Sequence, residues 1–177
     1  IAPTPVPGYG HFISRDALLR DRLKDNPGFP ANAIEHLGIY TPDYAVLYDE
    51  IMAVIGRGSR LLSLYLNHQE LLKQEDDWKF LAHALQWARK NATVFLHTQK
   101  ILGEPLRLEP YGYAHFDEDQ GIIALYNPFI ESRTVQVSLD AQSDWIHTAA
   151  LKSNADRSFT ASVIYPYQQV LQPDLRY

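Results

Sequence analysis

The side chains best placed to hold a polar ligand stand close together in the segment Phe29 to Tyr40. Asn32, Glu35 and His36 lie there among the apolar Ile34, Leu37 and Ile39. His36 can donate a hydrogen bond to a ligand hydroxyl; its plainer role is a ring satisfied by backbone at the turn before Gly38. Asp16, in Ser14-Arg15-Asp16, adds a carboxylate at a helix start, where the plainer role is to face the positive end of the helix dipole. Asp117-Glu118-Asp119 has the composition of a cation site, but a carboxylate-rich hairpin turn is ordinarily just solvated. His68, His83, His97, His115 and His147 follow no metal-ligand spacing, and His83 and His97 are too far apart for one helical site. With Cys absent there is no disulfide, thiolate nucleophile or thiolate zinc site, so neither metal nor cofactor is expected. Asn91-Ala92-Thr93 matches the glycosylation sequon but falls inside a helical pattern beside an apolar position, and is read as chance.

Composition narrows the function classes. The chain has 177 residues, 46% of them apolar and 21% charged, as ordinary globular protein does. A net charge of −5 with no basic block argues against a nucleic-acid surface and against an anionic membrane partner. No run approaches the roughly 18 to 20 apolar residues that cross a bilayer. Compartment stays open, with secreted or periplasmic location among the options. The chain opens at Ile1 with a Pro-rich run and closes just after a strand-like segment, which reads as a piece of something larger.

Periodicity supplies the elements that must position these groups. Ser14 caps a helix over about residues 15–25, stopped by Asn26-Pro27-Gly28. Thr41-Pro42-Asp43 starts a second, with the stripe Val46, Leu47, Ile51, Val54 and Ile55, ended by Gly56 and Gly58. Arg60 to Leu72 is ambiguous: a short extended or helical piece, then a turn of helix at 68–73. The strongest helical pattern opens at Asp76-Asp77 and runs through Trp78, Leu81, Leu85, Ala88, Phe95 and Leu96 to a Gly103-x-Pro105 stop. Beyond it the apolar period changes to two. Tyr111 to Phe116 and Gly121 to Tyr126 form a hairpin, and Ile122 to Leu125 reads as a central strand covered on both sides. Thr134 to Leu139, Trp145 to Ala150 and Phe159 to Tyr165 are candidate further strands.

The order of the motifs Phe29-Pro30…His36-Leu-Gly38, Arg57-Gly58-Ser, Trp87-Ala88-Arg89-Lys90-Asn91, Leu102-Gly103-Glu104-Pro105, Tyr111-Gly112-Tyr113-Ala114 and Gly121-Ile-Ile-Ala-Leu-Tyr126-Asn127-Pro128 resembles the closing part of the α-galactosidase-like, melibiase-type glycoside hydrolases and their enterotoxin-annotated relatives. One departure is Tyr126, where that family tends to carry a basic residue before Asn-Pro. The resemblance implies an α+β multidomain fragment: residues 1–105 as the last strands and helices of a (β/α)8 barrel, and residues 106–177 as an antiparallel β-sandwich incomplete at its end. It also implies that Asn32, Glu35 and His36, near the end of a barrel strand, line a sugar pocket, with Asp16 approaching from the preceding loop.

Cleavage with retention needs two carboxyl groups about 5 to 5.5 Å apart, and the resemblance places that pair on barrel strands that precede this chain. The implied function is a share in a retaining hydrolase acting on terminal α-linked galactose or a similar sugar, with the remainder of the catalytic barrel as partner. The chain would supply barrel closure, one pocket rim and a supporting sandwich. The alternative is a non-catalytic carbohydrate-binding or interaction module, in which Tyr111, Tyr113, Trp145 and Tyr165 present a stacking face. Exposure separates the two, because stacking needs aromatics lying open on one wet face.

Overall fold

The computed structural model describes residues 10–25, 36–39, 47–58, 62–64, 74–117, 120–137, 160–166 and 168–171. Three helices lie among them: α1 (Gly10–Asp25), α2 (Leu47–Gly56) and α3 (Glu75–Lys90). The strands are β1 (His36–Ile39), β2 (Leu62–Leu64), β3 (Thr98–Leu102), β4 (Tyr111–Phe116), β5 (Gly121–Tyr126), β6 (Ala161–Val163) and β7 (Gln169–Leu171). β1 and β2 pair in parallel, β3-β4-β5 form an antiparallel sheet with β4 in the centre, and β6 and β7 form an antiparallel pair.

The apolar stripe of α2 explains the helical core. Leu47, Ile51, Val54 and Ile55 recur at helical spacing and meet Leu81 and Ala84 of α3 and Phe95 of the 3-10 turn Val94–Leu96. Burying such side chains is worth roughly 1.5 to 3 kcal/mol each, which makes this the main cohesive unit among the described residues. Asp77 fixes the start of α3. Its carboxylate accepts the Gln74 N–H at 3.1 Å and the Tyr48 hydroxyl at 2.8 Å, so one buried acid ties α3 to α2.

These elements overturn the expected barrel-plus-sandwich architecture. Among the described residues a single parallel pair, β1 with β2, stands where closing barrel strands were expected. Among the described residues the three-stranded sheet meets α2 and the 3-10 turn Val94–Leu96, and α1 reaches across the 103–110 joint. There Arg20 donates to the carbonyls of Ile101, Leu102, Gly103 and Gly112 at 3.5, 3.4, 2.8 and 3.3 Å.

The finer corrections follow the same logic. The long helix ends at Lys90 instead of reaching Gly103, because Asn91 turns back on it, its side-chain amide donating to the Trp87 carbonyl at 2.8 Å. Residues 98–102 then join the sheet as β3. β5 is an edge strand, with Leu125 48% exposed, where a covered central strand was expected. Residues 132–137 keep the alternation of half-buried Val135 and Val137 with exposed Thr134 and Gln136, yet pair with no strand. The expected strand at 145–150 and the turn of helix at 68–73 lie outside the described residues.

Candidate functional site

The sequence Tyr111-Gly-Tyr-Ala-His115 puts three polar-tipped rings on one face of β4, since alternate residues of a strand share a face. All three are 0 to 1% exposed, so each tip must find a partner inside the protein. The Tyr111 and Tyr113 hydroxyls donate to the Asp16 carboxylate at 2.6 and 2.8 Å. The His115 Nε2–H donates to the Gly56 carbonyl at 2.9 Å, and the Thr98 hydroxyl donates to Nδ1 at 3.0 Å.

Asp16 is the hub of this layer. Besides the two phenols it receives Nε and Nη2 of Arg57 at 2.6 and 3.2 Å, and neither residue is exposed to solvent. Four donors saturate its two oxygens, which leaves no lone pair aimed outward for proton transfer. Burial works against the Arg57 charge, but the adjacent carboxylate outweighs it and the guanidinium is held more firmly protonated than usual. Burial, then the charge of Asp16, push the Tyr111, Tyr113 and Tyr126 hydroxyls well above their ordinary range, so all three stay donors. Burial depresses His115 to about 4, against a smaller opposing effect of its bond to Gly56, and the ring is neutral at pH 7. A parallel pair lies nearby, Arg15 Nη1 to Glu50 Oε1 at 3.1 Å.

Close approach shapes the turn after α2. Gly58 has φ +80°, and a Cβ there would lie 2.6 Å from Thr98 Oγ1 and 2.7 Å from His115 Cε1. Only glycine fits both the backbone and the space.

An open cleft of about 330 Å³ adjoins this layer. α2 supplies Asp49, Met52 and Ala53, α3 supplies Trp87, β5 supplies Ile122 to Tyr126, and Ile164-Tyr165-Pro166 add to the lining. Tyr126 is fixed by its hydroxyl, which donates to the Ala53 carbonyl at 3.1 Å, and by stacking on Tyr111 at 5.1 Å between centroids. The Tyr165 hydroxyl donates to Asp49, and its ring meets Phe80 edge-on at 6.0 Å. Phe80 in turn stacks on Tyr48 at 4.2 Å. Asp49 is the one charged side chain among the described residues that line the cleft.

Of the four residues expected to line a pocket, Asp16 is placed near the cleft but behind it, holding Tyr111 whose residue lines the wall. It is also no helix-start residue: α1 begins at Gly10, so Asp16 sits mid-helix on the buried face with Ile13, Ala17 and Arg20. His36 opens β1, its backbone paired with Leu62, while Asn32 and Glu35 lie outside the described residues. The stacking face also changes, because Tyr111 and Tyr113 are buried, Tyr165 lines the cleft, and Trp145 lies outside the described residues. Asp117 closes the hairpin turn by accepting the Gln120 N–H at 3.0 Å. Among the described residues no group of three His, Asp or Glu gathers to hold a metal, and no helix is long and apolar enough to cross a membrane.

The cleft residues Asp49, Trp87 and Tyr126 were not singled out as site residues from sequence. Each sits inside a pattern that reads as structural: Asp49 in the polar flank of α2, Trp87 in the apolar stripe of α3, Tyr126 at a strand end. No family model, curated protein or solved structure matches the chain.

Proposed function

We propose that this chain recognises carbohydrate in the cleft between α2 and β5, as the sugar-binding part of a glycoside-processing protein. The observation that carries the reading is the composition of the cleft: four aromatic residues, Trp87, Tyr111, Tyr126 and Tyr165, line a space of about 330 Å³ together with one carboxylate, Asp49. Sugar rings present apolar C–H faces and a rim of hydroxyls, so they are held by flat apolar side chains together with a few fixed polar groups. The resemblance of the motif order to melibiase-type hydrolases points to the same class of ligand.

The contribution of this chain is recognition and not bond cleavage. A retaining hydrolase needs a carboxyl pair about 5 to 5.5 Å apart. The described cleft residues provide a single carboxyl group, Asp49, and Asp16 is saturated by Arg57 and two phenols. Isothermal titration with galactose and methyl α-galactoside tests the proposal. Binding should weaken about tenfold or more in Trp87→Ala and in Tyr165→Ala, and a wild-type chain that binds neither sugar refutes it.

A further inference from the structure

We infer that the cleft takes a short linear oligosaccharide laid along β5 in preference to a single sugar, a reading that rests on carbohydrate binding at this site. A strand that turns one face to a cleft contributes every second residue, since its side chains alternate. β5 contributes Ile122, Ile123, Ala124, Leu125 and Tyr126 without a break, and Asn127 and Pro128 carry the wall onward. The cleft therefore follows the edge of the strand. β4 occupies the other edge, and among the described residues no strand pairs with this one.

The open edge of an antiparallel strand turns the N–H and C=O of alternate residues outward together, so a donor and an acceptor recur about every 7 Å. Sugar hydroxyls both donate and accept, and one pyranose meets one such set; the next set needs the next ring of a chain. From Ile122 to Tyr126 the edge runs about 13 Å, beyond the span of a single sugar. The aromatic residues are spread in the same way. Trp87 meets Phe95 edge-on at 5.9 Å, Phe95 meets His115 at 4.8 Å, and His115 is the cross-strand neighbour of Ile122. Tyr126, opposite Tyr111, stands at the far end of the same pairing. One ring of the ligand lies at the Trp87 end, and the following rings run toward Tyr126.

The experiment is calorimetric titration of the whole chain with galactose, α-1,4-linked galactobiose and galactotriose, and a hexapeptide of alternating threonine and valine. Galactotriose should bind about tenfold or more tighter than galactose, with galactobiose between them. Leu125 is exposed on the strand edge, and Leu125→Lys, which sets a hydrated charge there, should erase the difference between galactotriose and galactose. Equal affinity of the three sugars for the wild-type chain overturns the extended site and leaves carbohydrate binding standing. A galactotriose advantage that survives Leu125→Lys overturns its placement along β5. Failure of every sugar overturns both readings, as does capture of the peptide alone, which would give the edge to a partner strand.

Discussion

Acid should destabilise this protein through one ring. His115 is fully buried against Phe95, the two rings 4.8 Å apart, with its nitrogens committed to Gly56 and Thr98. Its folded pKa is lowered from 6.5 to about 4, so the unfolded chain binds the proton more readily than the native one. Stability is therefore fully present above pH 6.5, falls as pH drops through the window from 6.5 to 4, and is lost below it. Linkage over that window gives a loss of roughly 2.5 kcal/mol between pH 7 and pH 4.5 from this residue alone. Carboxylates titrate in the same range, so the measurement is a difference. Urea unfolding at the two pH values is compared between wild type and His115→Gln, a variant that is neutral throughout. Wild type should lose about 2.5 kcal/mol more than the variant on acidification, whatever the variant's stability at pH 7. Parallel losses would refute the claim that the ring is held neutral by burial.

The Asp16–Arg57 pair gives a second test: removing one member, as in Arg57→Met, should cost about 3 to 5 kcal/mol in denaturant unfolding, whereas the double change Asp16→Leu with Arg57→Met should cost distinctly less. Tyr111→Phe and Tyr113→Phe should each lower stability by about 1 to 2 kcal/mol, read from the urea midpoint at unchanged slope, because each deletes a buried charge-assisted bond. Gly58→Ala should cost roughly 2 kcal/mol or more in thermal unfolding, since it strains a positive φ and presses on Thr98 and His115. Incubation with p-nitrophenyl α-galactoside should release no p-nitrophenol, and turnover by the wild-type chain that is lost in Asp49→Asn would contradict the assignment of recognition alone.

Local pattern carried the helices and the hairpin. The stripe Leu47, Ile51, Val54, Ile55 is buried as its spacing predicts, and β4 and β5 occupy Tyr111–Phe116 and Gly121–Tyr126. What misled was continuity: Phe95 and Leu96 extend the α3 period by chance, although Asn91 ends the helix and Val94–Leu96 is a single 3-10 turn. The architecture was drawn from motif order, which says nothing about what packs on what. The candidate site was the least legible part. Asp16 reads as a cap when the helix is started at Ser14, whereas in a helix begun at Gly10 the same carboxylate lies mid-helix on the core face. Its partners Arg57, Tyr111 and Tyr113 lie 41, 95 and 97 positions away, beyond the reach of any spacing rule.

The grip of Arg20 on backbone carbonyls has a consequence for how the chain is made. The oxygens it holds belong to residues 81 to 92 positions later, on both flanks of the bend between β3 and β4. During synthesis the N-terminal helix must wait, its guanidinium in water, until that hairpin emerges from the ribosome. Such distant contacts slow folding, and deleting α1 would remove the one guanidinium that these four carbonyl groups share.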